Sequence, residues 1–161
     1  MKISKLKGFT LAETLVVISI IAILAATGAP LYKEIQPVLE LSGITREIIT
    51  DIRYIQQLTV TEQIDHCLCF FPLDGEYERR YQLIRCGVSD PQCGQSNPIL
   101  IKEKSFQEEI KTLTISGFTD NEIRYNPYGA ANRAGTMTLT NIQDKTKTIE
   151  VKSSGFVKSH D

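Results

Sequence analysis

Residues 7–31 read KGFTLAETLVVISIIAILAATGAPL, and their reading decides the architecture of the whole 161-residue chain. From Thr14 to Leu31 no residue is charged, and 13 of these 18 are hydrophobic. Ahead of them, Phe9 to Ala12 extends the apolar run, broken by a single charge at Glu13. As a helix, residues 9–32 reach about 36 Å, enough to cross a hydrocarbon core of about 30 Å. The preceding Met1–Gly8 holds Lys2, Lys5 and Lys7 and no acid. Lysines before the span and a mostly polar chain after it place the N-terminus on the cytoplasmic side.

A basic leader and an apolar run fit a cleavable secretory signal, with small residues near Ala26–Ala29, or a one-pass anchor. Neither gives Glu13 a purpose. A carboxylate inside a membrane helix costs roughly 2.5–3.5 kcal/mol on insertion scales, so it calls for a partner or a task.

The stretch Lys7-Gly8-Phe9-Thr10-Leu11-Ala12-Glu13 with its apolar helix resembles the leader of type IV prepilins and type II secretion pseudopilins. The resemblance implies that prepilin peptidase cuts between Gly8 and Phe9 at the cytoplasmic face and methylates the Phe9 amine. The helix is retained. Glu13 then lies one helical turn from the new ammonium at Phe9, and its acid suits the positive end of the helix dipole. In the family the same carboxylate meets the Phe9 amine of an incoming subunit and sets its register. The chain thus divides into a leader at 1–8, a transmembrane or filament-core helix at 9–32, and an exported domain at 33–161.

Gly28, Pro30 and Pro37 interrupt the helical pattern, and Pro30 is expected to kink or loosen it. Ser42-Gly43 marks a second weak point, so the domain helix is expected at about 44–63. There Ile44, Ile48, Ile52 and Ile55 recur at helical spacing, and Thr45, Arg46, Glu47, Asp51 and Arg53 supply a wet side.

Short strand-like runs follow: 66–71, 77–86, 99–104, 112–118, 122–126, 136–141 and 148–152. Pro72-Leu73-Asp74-Gly75 signals a hairpin, and Phe106–Lys111 is ambiguous, with a helical turn as one reading. A long helix followed by about seven strands argues an α+β fold, pilin-like, with the helix packed on an antiparallel sheet. The segments 122–129, 135–139 and 149–155 are similar to the C-terminal pattern of GspH/FimT-type minor pseudopilins. This implies a minor subunit that partners prepilin peptidase, other pilin subunits and the inner membrane. It would reside there as a single-pass protein before entering a pilus or pseudopilus.

Four cysteines, Cys67, Cys69, Cys86 and Cys93, suit disulfides in an exported domain. If Asp74-Gly75 is a two-residue turn, Cys69 faces Arg80 and Cys67 faces Gln82. Cys86–Cys93 is the simplest local bridge, while Cys69–Cys86 with Cys67–Cys93 stays open. A metal cluster with His66 is the sharper alternative, but the spacing is not the usual one for zinc. No metal or cofactor is expected; His66 reads as a strand residue and His160 as part of the tail.

No nucleotide loop, nucleophile elbow or zinc-protease motif is present, which argues against an enzyme. The other function class is DNA capture. The resemblance to FimT-type members implies a Gly-Arg-x-Arg motif where this chain has Gly155-Phe156-Val157-Lys158. Lys145, Lys147, Lys152 and Lys158 form a modest basic cluster, interleaved with Asp144, Glu150 and Asp161. Without its leader the chain holds 15 Lys and Arg against 19 Asp and Glu, a poor match to phosphate.

Overall fold

The computed structural model describes residues 9–71, 80–86, 93, 99–106 and 110–160, with residues 29–31 in backbone only. Leu11–Glu62 is one helix of 52 residues, α1. Contacts divide the chain into two compact units at Gln36/Pro37.

In the first unit, Leu11–Gly28 is long and apolar enough to cross a membrane, and every one of its residues is exposed. The helical pattern passes through Gly28, Pro30 and Pro37 without a break, which corrects the expected interruptions. Extending a formed helix is far cheaper than starting one, so isolated poor helix formers are absorbed.

In the second unit the helix does not begin anew at Ile44. Its buried stripe starts about two turns earlier, at Pro37, and runs through Leu41, Thr45, Ile48, Ile52, Ile55 and Thr59. Steps of three and four keep these residues on one face. Thr45 and Asp51, expected on the wet side, are buried. The Thr45 hydroxyl is satisfied by the Leu41 carbonyl at 2.7 Å, and Asp51 by partners from the sheet described below.

Eight strands follow among the described residues: β1 His66–Phe71, β2 Arg80–Arg85, β3 Ile99–Ser105, β4 Ile110–Ser116, β5 Glu122–Tyr125, β6 Gly135–Asn141, β7 Thr146–Val151 and β8 Val157–His160. They form two antiparallel four-stranded sheets, β3-β2-β1-β5 and β4-β6-β7-β8, rather than one sheet of seven. Leu68, Phe70, Tyr81, Leu83, Ile123 and Tyr125 from the first meet Met137, Leu139, Ile149 and Val151 from the second in the helix-backed core. Ile110 and Lys111 belong to β4, not to a helical turn, while residues 107–109 and the expected turn at 72–75 lie outside the described residues. His160 lies on β8 rather than in a loose tail.

The β1–β2 ladder pairs Cys67 with Ile84 and Cys69 with Gln82. That register is displaced by two residues from the one an Asp74-Gly75 two-residue turn would set. The face of β1 that packs on the helix carries His66, Leu68 and Phe70; the other carries Cys67 and Cys69, which are also buried.

Two polar keys lock the helix to the sheets. The Asn141 amide donates to the Pro37 carbonyl at 3.1 Å, while its oxygen accepts from the Gln143 and Lys145 N–H groups. Asp51 accepts from the Tyr81 hydroxyl at 2.7 Å and from the Lys102 ammonium at 2.7 and 2.8 Å. Lys102 and Lys104 sit on the edge strand β3 opposite Leu83 and Tyr81, and both reach Glu47. Charge directed inward from an edge strand also discourages stray strand pairing.

Burial pushes the Tyr81 phenol far above the ordinary tyrosine value, and the bond to Asp51 and its charge add to this. Burial alone raises Tyr125 as well. An unfolded tyrosine ionises near about pH 10, so above that point the unfolded chain sheds these protons first. Stability is therefore expected to be intact below about pH 10 and to fall as pH rises further. Chemical denaturation midpoints at about pH 8 and about pH 11 should show the drop, and Tyr81→Phe and Tyr125→Phe should each flatten it.

Candidate functional site

The site predicted by the sequence is the amino end of α1. Thr10 is its N-cap: the Thr10 carbonyl accepts the Thr14 N–H at 3.2 Å. The Glu13 N–H donates to the Thr10 hydroxyl oxygen at 3.3 Å. In return Glu13 Oε2 accepts the Thr10 N–H at 3.0 Å and the Thr10 hydroxyl at 2.9 Å. This reciprocal arrangement is a capping box, which satisfies backbone donors that the helix itself cannot. Glu13 thus turns back toward the start of the helix. Phe9 precedes the cap and is 80% exposed; Gly8 lies outside the described residues. The residue that sequence reasoning missed is Thr10, although Thr-x-x-Glu ahead of an apolar run is itself a recognisable signal.

The cysteines pair as Cys67–Cys86 and Cys69–Cys93, with Cα separations of 5.8 and 5.5 Å. Neither the local Cys86–Cys93 bridge nor the crossed alternative forms. Cys86 follows the last residue of β2, and its N–H bonds the Asp65 carbonyl just before β1, which seats it beside Cys67. His66 is a buried structural residue: its Nδ1 lies 2.9 Å from the Ile64 carbonyl and 3.2 Å from the Thr59 hydroxyl.

Within the basic cluster Lys158 is paired, whereas Lys145 and Lys152 are exposed. Lys158 lies 3.5 Å and His160 3.2 Å from Glu150. The hydrogen bond from His160, then the charges of Lys158 and Lys152, hold the Glu150 carboxyl below its ordinary range.

An apolar leading helix, a self-capped Glu13 and a helix-backed antiparallel domain define a pilin-like subunit. The description "Prokaryotic N-terminal methylation motif" matches residues 3–29, and "Type II transport protein GspH" matches residues 45–155. The chain belongs to the GspH family. No individually curated protein matches it. Among solved structures it is similar to the type IV minor pilin FimU of Pseudomonas aeruginosa (strain PAO1), at 12% identity over 76% of this chain and 89% of that one, with a TM-score of 0.56. It is likewise similar to the minor pseudopilin EpsH from the type 2 secretion system of Vibrio cholerae, at 11% identity over 75% and 96%, with a TM-score of 0.57. A second crystal form of FimU gives a TM-score of 0.53 at 12% identity, over 75% of this chain and 93% of that one. The family is one of structural pilin and pseudopilin subunits that assemble with one another, and nothing in these likenesses favours DNA capture.

Proposed function

We propose that the chain is made as a membrane precursor, cut by prepilin peptidase between Gly8 and Phe9, methylated at Phe9, and added to a pilus or pseudopilus as a minor subunit. Before assembly it spans the cytoplasmic membrane once, with residues 33–161 outside the cytoplasm. The observation that carries this reading is Glu13, the one charge in the apolar helix, folded back within a turn of Phe9. Cleavage turns the Phe9 amide nitrogen into an ammonium. A carboxylate and an ammonium in apolar surroundings are strongly costly apart, so their pairing selects one register between subunits. As the helix leaves the bilayer, contact with neighbouring helices replaces contact with lipid.

Co-expression with a prepilin peptidase tests this through the intact mass and first residue of the product. A mature chain starting at methylated Phe9 is expected. Gly8→Ala should stay at full length. Glu13→Ala should be cut normally yet fall at least about tenfold in the filament fraction, the scale of a lost buried charge partner. A product starting near Ala29, or normal incorporation of Glu13→Ala, would overturn the reading.

A further inference from the structure

The turn between β6 and β7 is fastened to Pro37, the residue at which α1 enters the second unit. The buried Asn141 amide makes that bond, and its oxygen accepts from Gln143 and Lys145. The Asn141 N–H donates to the Lys145 carbonyl at 2.9 Å, so the turn is held at both ends. Within this otherwise polar turn Ile142 is 60% exposed. Lys111 on the neighbouring β4 lies 2.6 Å from Asp144 and neutralises it. Lys145 is exposed and holds no ion pair among the described residues, and Lys147 stands two residues on. Val38 and Leu39, next to Pro37 on the helix, are exposed and apolar as well. An outward apolar side chain beside surplus positive charge is the composition that suits an anionic lipid surface.

Pro37 is the fifth residue after Tyr32, the end of the apolar span. The covalent tether bounds its distance from that end, at about 7.5 Å as helix and about 18 Å when fully extended. The headgroup layer on each side of a bilayer is itself about 5–8 Å deep. Residues bonded to Pro37 are therefore within reach of the membrane surface. The loop that carries Tyr128 and Gly129 is bonded instead to Gln56, nineteen positions beyond Pro37 (37 to 56), or about 28 Å along α1. We propose that in the membrane-bound subunit the β6–β7 turn rests on the bilayer, with Ile142 among the headgroups and Lys145 against anionic phosphates. This rests on the reading that residues 9–32 span the membrane. The contact is a second foothold, lost when the subunit is withdrawn into a filament.

Full-length chain in vesicles of phosphatidylglycerol and phosphatidylcholine tests this. All four native cysteines are held in disulfides, so an added cysteine takes a single fluorescent dye. Dye on Thr146→Cys should be quenched by headgroup nitroxide, and dye on Tyr128→Cys should not. Ile142→Asp and Lys145→Gln, both changes of exposed residues, should each lower the Thr146 quenching about fivefold or more. Vesicles of phosphatidylcholine alone should lower it as well. Equal quenching at Thr146 and Tyr128, or quenching that either variant leaves unchanged, would overturn the proposal. Thr146 shielded from iodide without quenching by lipid would overturn it too, because a protein neighbour would then be the occupant. Dye on Ile20→Cys, read with nitroxide deep in the acyl chains, checks the span separately. Ile20 quenched and Thr146 not would sink the foothold and leave the span standing, whereas Ile20 unquenched would sink both.

Discussion

Gly155→Ala is expected to be the most disruptive single-methyl change in the domain. Gly155 has φ +86, a left-handed backbone that a side chain strains. An added Cβ would lie 2.2 Å from the Gly129 carbonyl oxygen and 2.4 Å from Gln56 Nε2. Those two atoms are bonded to each other at 2.7 Å, so the methyl must break the link between α1 and the 126–130 loop. The buried Tyr125 hydroxyl also reaches the Gly155 carbonyl at 3.5 Å. Backbone strain and the lost hydrogen bond together should remove about 3–4 kcal/mol. Urea titration followed by circular dichroism reads the loss. Gly43→Ala is the matched control: nothing lies within 4 Å of its added carbon, and it sits exposed in a helix. It should stabilise by about 0.5–1 kcal/mol. Equal midpoints for the two variants would refute the packing argument.

The second large effect is expected at Asp51→Ala. The change leaves the buried Tyr81 hydroxyl without its acceptor and Lys102 without its nearest counter-charge. Lys102 is 38% exposed, which screens its pair with Asp51, so most of the loss comes from the stranded Tyr81 hydroxyl, about 1–3 kcal/mol. Burial by itself lowers the Lys102 ammonium pKa, yet the bond to Asp51 and the charges of Asp51 and Glu47 outweigh it and hold the group above the ordinary lysine value. Asp51→Asn keeps one acceptor for Tyr81 and should lose about half as much. With no tryptophan in the chain, tyrosine fluorescence during urea unfolding can follow both variants. A midpoint unchanged in Asp51→Ala would remove the network from the account of stability.

The legible parts of this fold were those with local signals. The apolar run and the Lys7–Glu13 motif announced the leading helix and its class. Met137 and Leu139, then Ile149 and Val151, alternate with polar residues along β6 and β7, which pair antiparallel, so both strands were legible as the runs 136–141 and 148–152. What stayed hidden depended on distant partners. Asp51 reads as a wet helix residue until Tyr81 and Lys102 arrive from two strands. β8 is four residues long with one buried apolar side chain, Val157, so it carries almost no alternation of its own. The cysteine pairing followed the β1–β2 register, which is displaced by two residues from the one a turn at Asp74-Gly75 would set. At the site itself Phe9 and Glu13 were legible from the motif, while the part played by Thr10 needed only a closer reading of the same seven residues.

The keys that fasten α1 impose an order in time. Pro37 and Gln56 leave the ribosome early, but they wait for Asn141, Gly129 and Gly155, which are made up to about a hundred residues later. Contacts this far apart in sequence are slow to form because long loops must close first. Asp51 can meet Tyr81 and Lys102 first, so the helix is fastened to the first sheet before Asn141 completes its link to the second.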